Sequence, residues 1–519
     1  MNWTNERKLA VLMSFHLLWG LVLWFSISKY GLGISTDSVH ILFGGMNFSA
    51  GRGLISFDGS FLSIWPPLYP LLLAVVHRAL GLGMFASANA LQAAAFISLS
   101  LCLSLLFLKI FPGNFLLAFA GNALSDLGVV VLTSFIIVGS DYVHLAFVFL
   151  FILLLGRYLE INSPRLFPAL SVIGMLTMLQ RYLGLAVILT GAASIFLFSC
   201  GTLKQRSIRS IFICLSALPA GLWLLITSRL IERRAPISFG ENFGWFSRSI
   251  LEWFFPLGGI KPQLSLYIVC LWILILGLAI FLIVQRARYQ LITYYQIPVF
   301  LFGIRYTLSL FSAASVSYFN KLGGRFLLPL YIPFVVLIIV GLDALLRLAS
   351  ENMHHTSIPY RLIHASGVSF LVIIAALLLQ VTLPVVLESG TKGAAGGENV
   401  FNTTSWRENT VLEYWLSHPP KGNYLLFSNY SDGVAFYTQH PCYGSPRRYS
   451  GPYGKVEFPV SQYASQLFSS GQEVFLIWIE PNEYSYFYEV EDLSSIAQIE
   501  PLFVSGDGGV YRLKPISGS

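Results

Sequence analysis

Charge is what this chain has least of. Of its 519 residues 11% are Asp, Glu, Lys or Arg, against about 25% in a soluble protein. More than half, 55%, are hydrophobic, and the mean hydropathy is +0.69. Charge this sparse, with apolar runs of about 20 residues recurring along the chain, excludes an ordinary soluble enzyme and predicts a polytopic α-helical membrane protein. The net charge of +7 does not point to nucleic acid, because the basic residues cluster at the ends of apolar runs, as the positive-inside rule requires. Cysteine is scarce too. Cys102, Cys200, Cys214 and Cys270 lie in apolar segments and read as small hydrophobes, while Cys442 is alone in the C-terminal region, which excludes a disulfide there. No C-x-x-C or His/Cys zinc spacing occurs, and there are no internal repeats or low-complexity tracts. A cleavable signal is also missing. Arg7 and Lys8 precede an apolar run too long for a signal-peptide core, so the N-terminus reads as a signal anchor.

What is present is a series of spans. Eleven helices are predicted, at roughly 8–30, 86–110, 114–138, 142–160, 166–180, 182–200, 208–229, 264–285, 290–312, 325–348 and 363–386. Arg7 and Lys8, Lys109, Arg157 and Arg165, Lys204 with Arg206 and Arg209, Arg286 and Arg288, and Arg347 with Arg361 fall on alternate loops. Those loops are expected to be cytoplasmic, with the N-terminus inside and the C-terminus outside. The outer face then carries loop 31–85. Its apolar stretch 68–80, ending in His77 and Arg78, is too short to span and reads as an interfacial helix. Were 66–82 to span instead, the basic loops would move outside, against the charge pattern. The expected division is a membrane domain over 1–387, a flexible linker over 388–399 and a small α/β domain over 400–519 outside the cytoplasm. In that domain 424–427 and 473–478 read as strands, and 410–417 and 460–469 as helices.

Two carboxylates stand out. Asp37 lies seven residues past the first apolar run, in the polar stretch Gly31-Leu-Gly-Ile-Ser-Thr-Asp-Ser-Val-His40, and Asp141 sits between two later apolar segments. The topology puts both on one membrane face, where ionisable groups are functional candidates. Each has a plain alternative: Asp37 as a cap or a solvated loop residue, Asp141 as the N-cap of its helix. Asp126 lies inside the third apolar segment and is expected to pair with a base or to mark an irregular turn; Asp58 is a weaker candidate. Asn-x-Ser/Thr triplets occur at Asn2, Asn47, Asn402 and Asn429.

In order along the chain come Asp37, Gly51-Arg-Gly53, Pro66-Pro-Leu-Tyr-Pro70, Ser140-Asp141, Arg181-Tyr182 and Arg325-Phe-Leu-Leu-Pro329. This series resembles the GT-C superfamily of membrane glycosyltransferases, in the branch of the protein O-mannosyltransferases and aminoarabinose transferases, over residues 8–350. His40 departs from it, since many relatives have tyrosine there; a histidine can bond a phosphate or a sugar hydroxyl, or serve only structure.

The resemblance implies a sugar donor carried on a polyprenyl phosphate and a lipid, glycan or protein acceptor at the outer face of the bilayer. Asp37 would take the acceptor's proton in a single inverting displacement, with Asp141 assisting. The phosphate leaving group calls for cations; Arg181, Lys321 and Arg325 at outer helix ends either supply them, Arg325 first because it falls on a matching motif, or snorkel to the lipid headgroups. His40, Arg52, Tyr69 and Tyr182 fall on the matching stretches as further substrate-binding candidates. Some relatives hold a divalent metal on two loop acids, but two aspartates without a third ligand do not establish a site here. A lipid-linked sugar transporter or flippase, which should show repeats and broken midplane helices, and a non-catalytic envelope-assembly protein are the alternatives. The Tyr484, Tyr486, Phe487 and Tyr488 cluster reads as core, or as a surface for sugar or lipid.

Overall fold

The computed structural model describes residues 4–228, 237–254, 293–316, 322–352, 360–393, 400–449, 456–482 and 484–516, with residues 268, 272, 273, 275 and 277. Its helices are α1 (Asn5–Ser28), α2 (Thr36–Ser49), α3 (Leu68–Leu80), α4 (Met84–Ile110), α5 (Phe115–Asp126), α6 (Val129–Phe135), α7 (Ser140–Ile161), α8 (Leu166–Gln180), α9 (Leu185–Phe198), α10 (Leu203–Leu215), α11 (Leu218–Thr227), α12 (Phe239–Glu252), α13 (Gln296–Val316), α14 (Leu328–Asn352) and α15 (Tyr360–Lys392). Single 3-10 turns occupy Tyr182–Gly184 and Gly324–Leu327. Among the described residues seven helical stretches are long and apolar enough to cross a bilayer, α10 and α11 counting together as one (Leu203–Thr227), or eight when α5 and α6, bent by 54°, also count as one. With α8 and α9 shorter, this is the polytopic helical membrane protein expected. The span predicted at 264–285 lies almost wholly outside the described residues.

The bundle has two polar ends, and α7 measures the distance between them. Asp141 opens this helix and Glu160 nearly closes it. Nineteen residues at 1.5 Å each separate the two by roughly 28 Å, close to the thickness of a bilayer's hydrocarbon core. Around Glu160 gather Lys109 at 3.6 Å, Arg157 at 2.7 Å and the Tyr295 hydroxyl at 2.8 Å, with Arg209 bonded to the Tyr158 hydroxyl nearby. The opposite end carries Asp37 and Asp141.

Between them, a set of buried polar side chains pairs across the bundle. His16 of α1 meets Asp126 at 2.5 Å (Nδ1 to Oδ2), and its Nε2 lies 3.0 Å from Asn122 Oδ1 and 3.1 Å from Ser104 Oγ. Asp126 thus has a basic partner and also stands at the break between α5 and α6. Carbonyls freed by the break are taken up by side chains. Tyr331 donates to Leu124 O at 2.6 Å and Thr382 to Leu127 O at 2.7 Å. An unpaired carbonyl would be costly at this depth.

The stretch 31–85 contains more structure than the sequence suggested. The short apolar helix expected at 68–80 is there as α3, but a second helix, α2, begins one residue before Asp37. Its N-terminus is a capping box, in which Ser38 N donates to Ser35 Oγ and Ser35 N to Ser38 Oγ. Gly44 and Gly45 let α2 lie against α3, since a Cβ on Gly45 would come 3.2 Å from Leu73 Cβ and from Pro70 O. Amphipathic α12 lies in a stretch where the sequence predicts no span.

Beyond α15 the chain forms α16 (Thr404–Arg407), α17 (Thr410–Ser417), β1 (Tyr424–Ser428), α18 (Ser431–Thr438), β2 (Tyr443–Gly444), α19 (Tyr463–Phe468), β3 (Glu473–Ile479), β4 (Ala497–Ser505) and β5 (Gly508–Pro515). The sheet order is β2-β1-β3-β5-β4. β1 runs parallel to both β2 and β3, and β5 runs antiparallel to β3 and β4. Alternation along β3 builds two layers. Phe475 and Ile477 face the core containing Val411, Trp415 and Val434, whereas Leu476 and Trp478 face Leu467 and Leu493. The first of these layers continues through Phe401 into the core of the helical bundle.

Candidate active site

Two short backbone segments meet at the acidic end. Gly33 N donates to Ile136 O at 2.7 Å, and Val138 N donates to Gly33 O at 2.9 Å, an isolated parallel bridge between Gly33 and Ile137. Ser38 Oγ adds a bond to Val138 O at 2.5 Å. Asp37 lies four residues beyond Gly33, and Asp141 four beyond Ile137. Each is the second residue of its helix, and each follows a β-like entry. The bridge therefore aligns two helix starts and brings the two carboxylates to the same end, where the helix dipole favours negative charge.

Each carboxylate faces an arginine. Arg325, on the 3-10 turn before α14, bonds Asp37, and Arg181, at the junction after α8, bonds Asp141. The ring of Phe326 lies between the guanidiniums, 5.8 Å from Arg181 and 5.7 Å from Arg325. Tyr306 fixes this turn by donating to Phe326 O at 2.9 Å. The two pairs differ in exposure. The side chains of Arg325 and Asp37 are 43% and 28% exposed, those of Arg181 and Asp141 16% and 11%. Burial, aided by the like charge of Arg325, lowers the Arg181 guanidinium to about 10, while Asp37 and Tyr306 pull the other way; it stays cationic at neutral pH.

Two polar atoms beside Asp141 stand without hydrogen-bond partners among the described residues. Gln180 donates its amide to Ser140 O at 3.2 Å, leaving a buried Oε1 unpaired. The Tyr69 hydroxyl is buried and likewise makes no well-formed bond. Orphaned buried polar atoms are rare and call for an explanation; Gln180 Oε1 needs a donor, which a hydroxyl can supply and a phosphate cannot, while the Tyr69 hydroxyl lies against the Gly139 backbone. Gln180 was not singled out from the sequence, because a glutamine at the end of an apolar run carries no motif.

His40 has another environment. One helical turn past Asp37, its Nδ1 lies 2.6 Å from Ser56 Oγ and its Nε2 3.3 Å from Asp432 of α18, while its ring stacks on Trp65 at 4.7 Å. The order Ser–His–Asp is that of a hydrolase triad, but Ser56 is 2% exposed, so the set reads as a strut between the 31–85 stretch and the C-terminal sheet. Arg52 is occupied at the far end of α2, where its Nε donates to Asn47 Oδ1 at 2.9 Å. The Tyr182 hydroxyl is buried beside Thr227 and Trp223. Lys321 lies outside the described residues.

The strut is one part of a wider junction. Asn402 donates to Tyr30 O and to Leu32 O, and accepts from Arg407 at 2.8 and 3.1 Å. Phe401 N donates to Ile34 O at 2.7 Å. The residues just before Asp37 are thus clasped by the segment that leads into the C-terminal sheet. Of the four sequon asparagines, Asn47, Asn402 and Asn429 are buried and use their amides in hydrogen bonds; Asn2 lies outside the described residues. Among the described residues no three His, Cys, Asp or Glu side chains come together as metal ligands, and the two aspartates are each engaged by an arginine instead. The residues present do not fit a divalent metal.

No protein-family model and no curated protein matches this sequence. Solved structures match it in fold. ArnT from Cupriavidus metallidurans in the apo state superposes with a TM-score of 0.56 at 13% identity, over 96% of this chain and 97% of that one. The same protein bound to undecaprenyl phosphate gives 0.58 at 12% identity, over 98% of both chains. The arabinofuranosyltransferase AftD from Mycobacteria gives 0.52 at 12% identity, over 99% of this chain and 40% of that one. The chain shares its overall fold with ArnT and with AftD.

Proposed function

We propose that this integral membrane protein of GT-C fold is a glycosyltransferase that moves a sugar from a polyprenyl-phosphate donor to an acceptor at the extracytoplasmic face. The observation that carries the reading is the pair of acid–arginine couples held together by the Gly33–Ile137 bridge. The fold neighbour that binds undecaprenyl phosphate supports a lipid phosphate as the carrier. The sidedness rests on the charges. Lys109, Arg157 and Arg209 ring the end of α7 remote from Asp141, and such basic rims favour the cytoplasm. The C-terminal sheet, joined to the other end, is then outside.

Exposure assigns the roles. A partly exposed ion pair contributes about 0–1 kcal/mol, so Arg325 can leave Asp37 at little cost when a phosphate offers it two acceptor oxygens. Removing one partner of a buried pair costs about 3–5 kcal/mol, so Arg181 and Asp141 stay together and hold the site in shape. When Arg325 turns to the donor phosphate, Asp37 is freed to act as base. The acceptor's O–H proton passes to the Asp37 carboxylate as the acceptor oxygen attacks the anomeric carbon. The bond from that carbon to the phosphate oxygen breaks, and its electron pair stays on the phosphate beside Arg325. One displacement inverts the anomeric centre.

The test is transfer from radiolabelled polyprenyl-phosphate sugars in proteoliposomes, with label followed into lipid, glycan and protein fractions. General-base catalysis contributes about 10²–10⁴-fold, so Asp37→Asn at equal expression is expected to lose that much rate. Transfer that survives in Asp37→Asn would remove Asp37 as base. Movement of an intact lipid-linked sugar across the bilayer, with no transfer, would favour the transporter.

A further inference from the structure

The C-terminal sheet has a feature that the membrane site does not use. β1 sends the chain to β2 on one side and, after α19, back to β3 on the other, so the strand order reverses at β1. In open α/β sheets ligands bind in the crevice outside the carboxyl ends of the strands at such a switch point. This edge is turned toward the acids: Asp432, four residues past the end of β1, is 3.3 Å from His40, one helical turn beyond Asp37.

The walls of the crevice are built for hydroxyl groups. Asn429 clamps the two strand ends, donating to Ile479 O at 2.8 Å and accepting from Ile479 N at 2.9 Å. Beyond β3, Glu480 accepts from Asn482 N at 2.7 Å and from the Trp478 indole at 2.8 Å, and Asn482 in turn donates to Glu489 at 3.2 Å. The carboxylates of Glu480 and Glu489 keep acceptor capacity beyond the bonds they make, whereas Asn482 Oδ1 is already filled by Asn429 Nδ2 at 3.4 Å and Tyr484 N at 3.1 Å. The rings of Tyr484 and Tyr486, 5.4 Å apart, stand next to this row, and Tyr484 packs on Tyr430 at 4.8 Å. At the carboxyl end of β2, the buried Ser445 hydroxyl has no hydrogen-bond partner among the described residues. Burial, followed by the carboxylates of Glu480, Glu491 and Asp492, raises the Glu489 carboxyl above the usual range despite its bond from Asn482. A field of that sign disfavours anions.

We propose that this crevice binds a neutral sugar unit of the acceptor, so that the acceptor is a glycan whose chain lies across the carboxyl ends of β1 and β3 while its reactive hydroxyl reaches Asp37. The carboxylate oxygens of Glu480 and Glu489 accept from the sugar hydroxyls, and the tyrosine rings cover its apolar face. This deepens the reading above and rests on it for the identity of the reaction.

The test is saturation-transfer NMR on the full-length protein in nanodiscs, with cellotetraose and mannotetraose as neutral probes and tetragalacturonate as an anionic one. At least one neutral tetrasaccharide is expected to give signals that fall tenfold or more in Tyr484→Ala and in Tyr486→Ala, with tetragalacturonate silent. Tyr486 is half-buried against the second core layer, so a thermal melt matching wild type is required of each variant before its binding is read. Absence of signal from both neutral probes, signals unchanged in both variants, or stronger binding of tetragalacturonate would overturn the proposal. Binding is read without turnover, so this result is independent of whether Asp37 is the base.

Discussion

Asn402→Ala changes nothing that could touch a substrate, yet it should slow the reaction. Four hydrogen bonds are lost, and their worth differs. The Tyr30 carbonyl keeps a donor, since Arg407 Nη2 also reaches it at 2.8 Å. Arg407 itself is exposed, so water replaces what Asn402 Oδ1 accepted. The Leu32 carbonyl loses its 3.0 Å bond in a fully buried residue, and a buried acceptor left unpaired costs about 1–3 kcal/mol. About 2 kcal/mol against the clasp is roughly a 30-fold change in its opening equilibrium. Hydrogen exchange read by mass spectrometry should therefore show faster exchange in two separate peptides: one containing Phe401, whose amide bonds Ile34 O, and one containing Gly33, whose amide bonds Ile136 O. Transfer should fall along with it, because the start of α2 carries Asp37. Faster exchange at Phe401 with Gly33 unchanged would refute the idea that the clasp holds the helix start. So would faster exchange at both with transfer at the wild-type rate.

Three other outcomes follow from the same geometry. Arg181→Lys should be active near neutrality and fail in mild alkali: burial lowers the guanidinium to about 10, and a comparable drop from the lysine value of about 10.4 would bring the ammonium to roughly 8. The charged form is the one that holds Asp141, so activity is lost as pH rises through that value, and a pH–rate profile identical to wild type would count against it. Chelation with EDTA should leave the transfer rate within twofold, because arginines occupy both aspartates; a large loss restored by a divalent cation would show that a metal takes part. Expression in a glycosylating host should leave Asn47, Asn402 and Asn429 bare, since their amides are buried and bonded. Intact-mass measurement before and after glycan removal checks this.

Most of the bundle was legible because spans are written as long apolar runs bounded by charge. Helices α1, α4, α7 and α14 stand close to their expected positions, and α3 was readable as a helix too short to span because 13 residues cannot cross a bilayer. α2 escaped for the opposite reason. Gly44 and Gly45 depress its intrinsic helicity, and its stability comes from a capping box and from packing against α3, neither of which appears as a periodic pattern. The charged members of the acidic end, Asp37, Asp141, Arg181 and Arg325, were identifiable because charge is conspicuous in so apolar a chain. What assembles them was not. Gly33 and Ile137 are 104 residues apart and meet through backbone atoms alone, Gln180 is one glutamine at a helix end, and Asn402 looked like a glycosylation triplet. Such contacts are non-local and indifferent to side-chain type, so no local reading of residues reveals them.

The paired spacing about the Gly33–Ile137 bridge limits how this chain can change in length. Between the bridge and each carboxylate there are the same number of residues, so both acids keep their phase only while both intervals keep their count. Deleting or inserting one residue in 34–36 or 138–140 would turn the acid by about 100° around its helix and carry it off its arginine, with every substitutable residue left intact. Loop 51–65 has no such metric, and length variation there should be absorbed. Across homologous chains the two short intervals should accordingly be free of gaps even where their residues differ, a regularity visible in lengths alone.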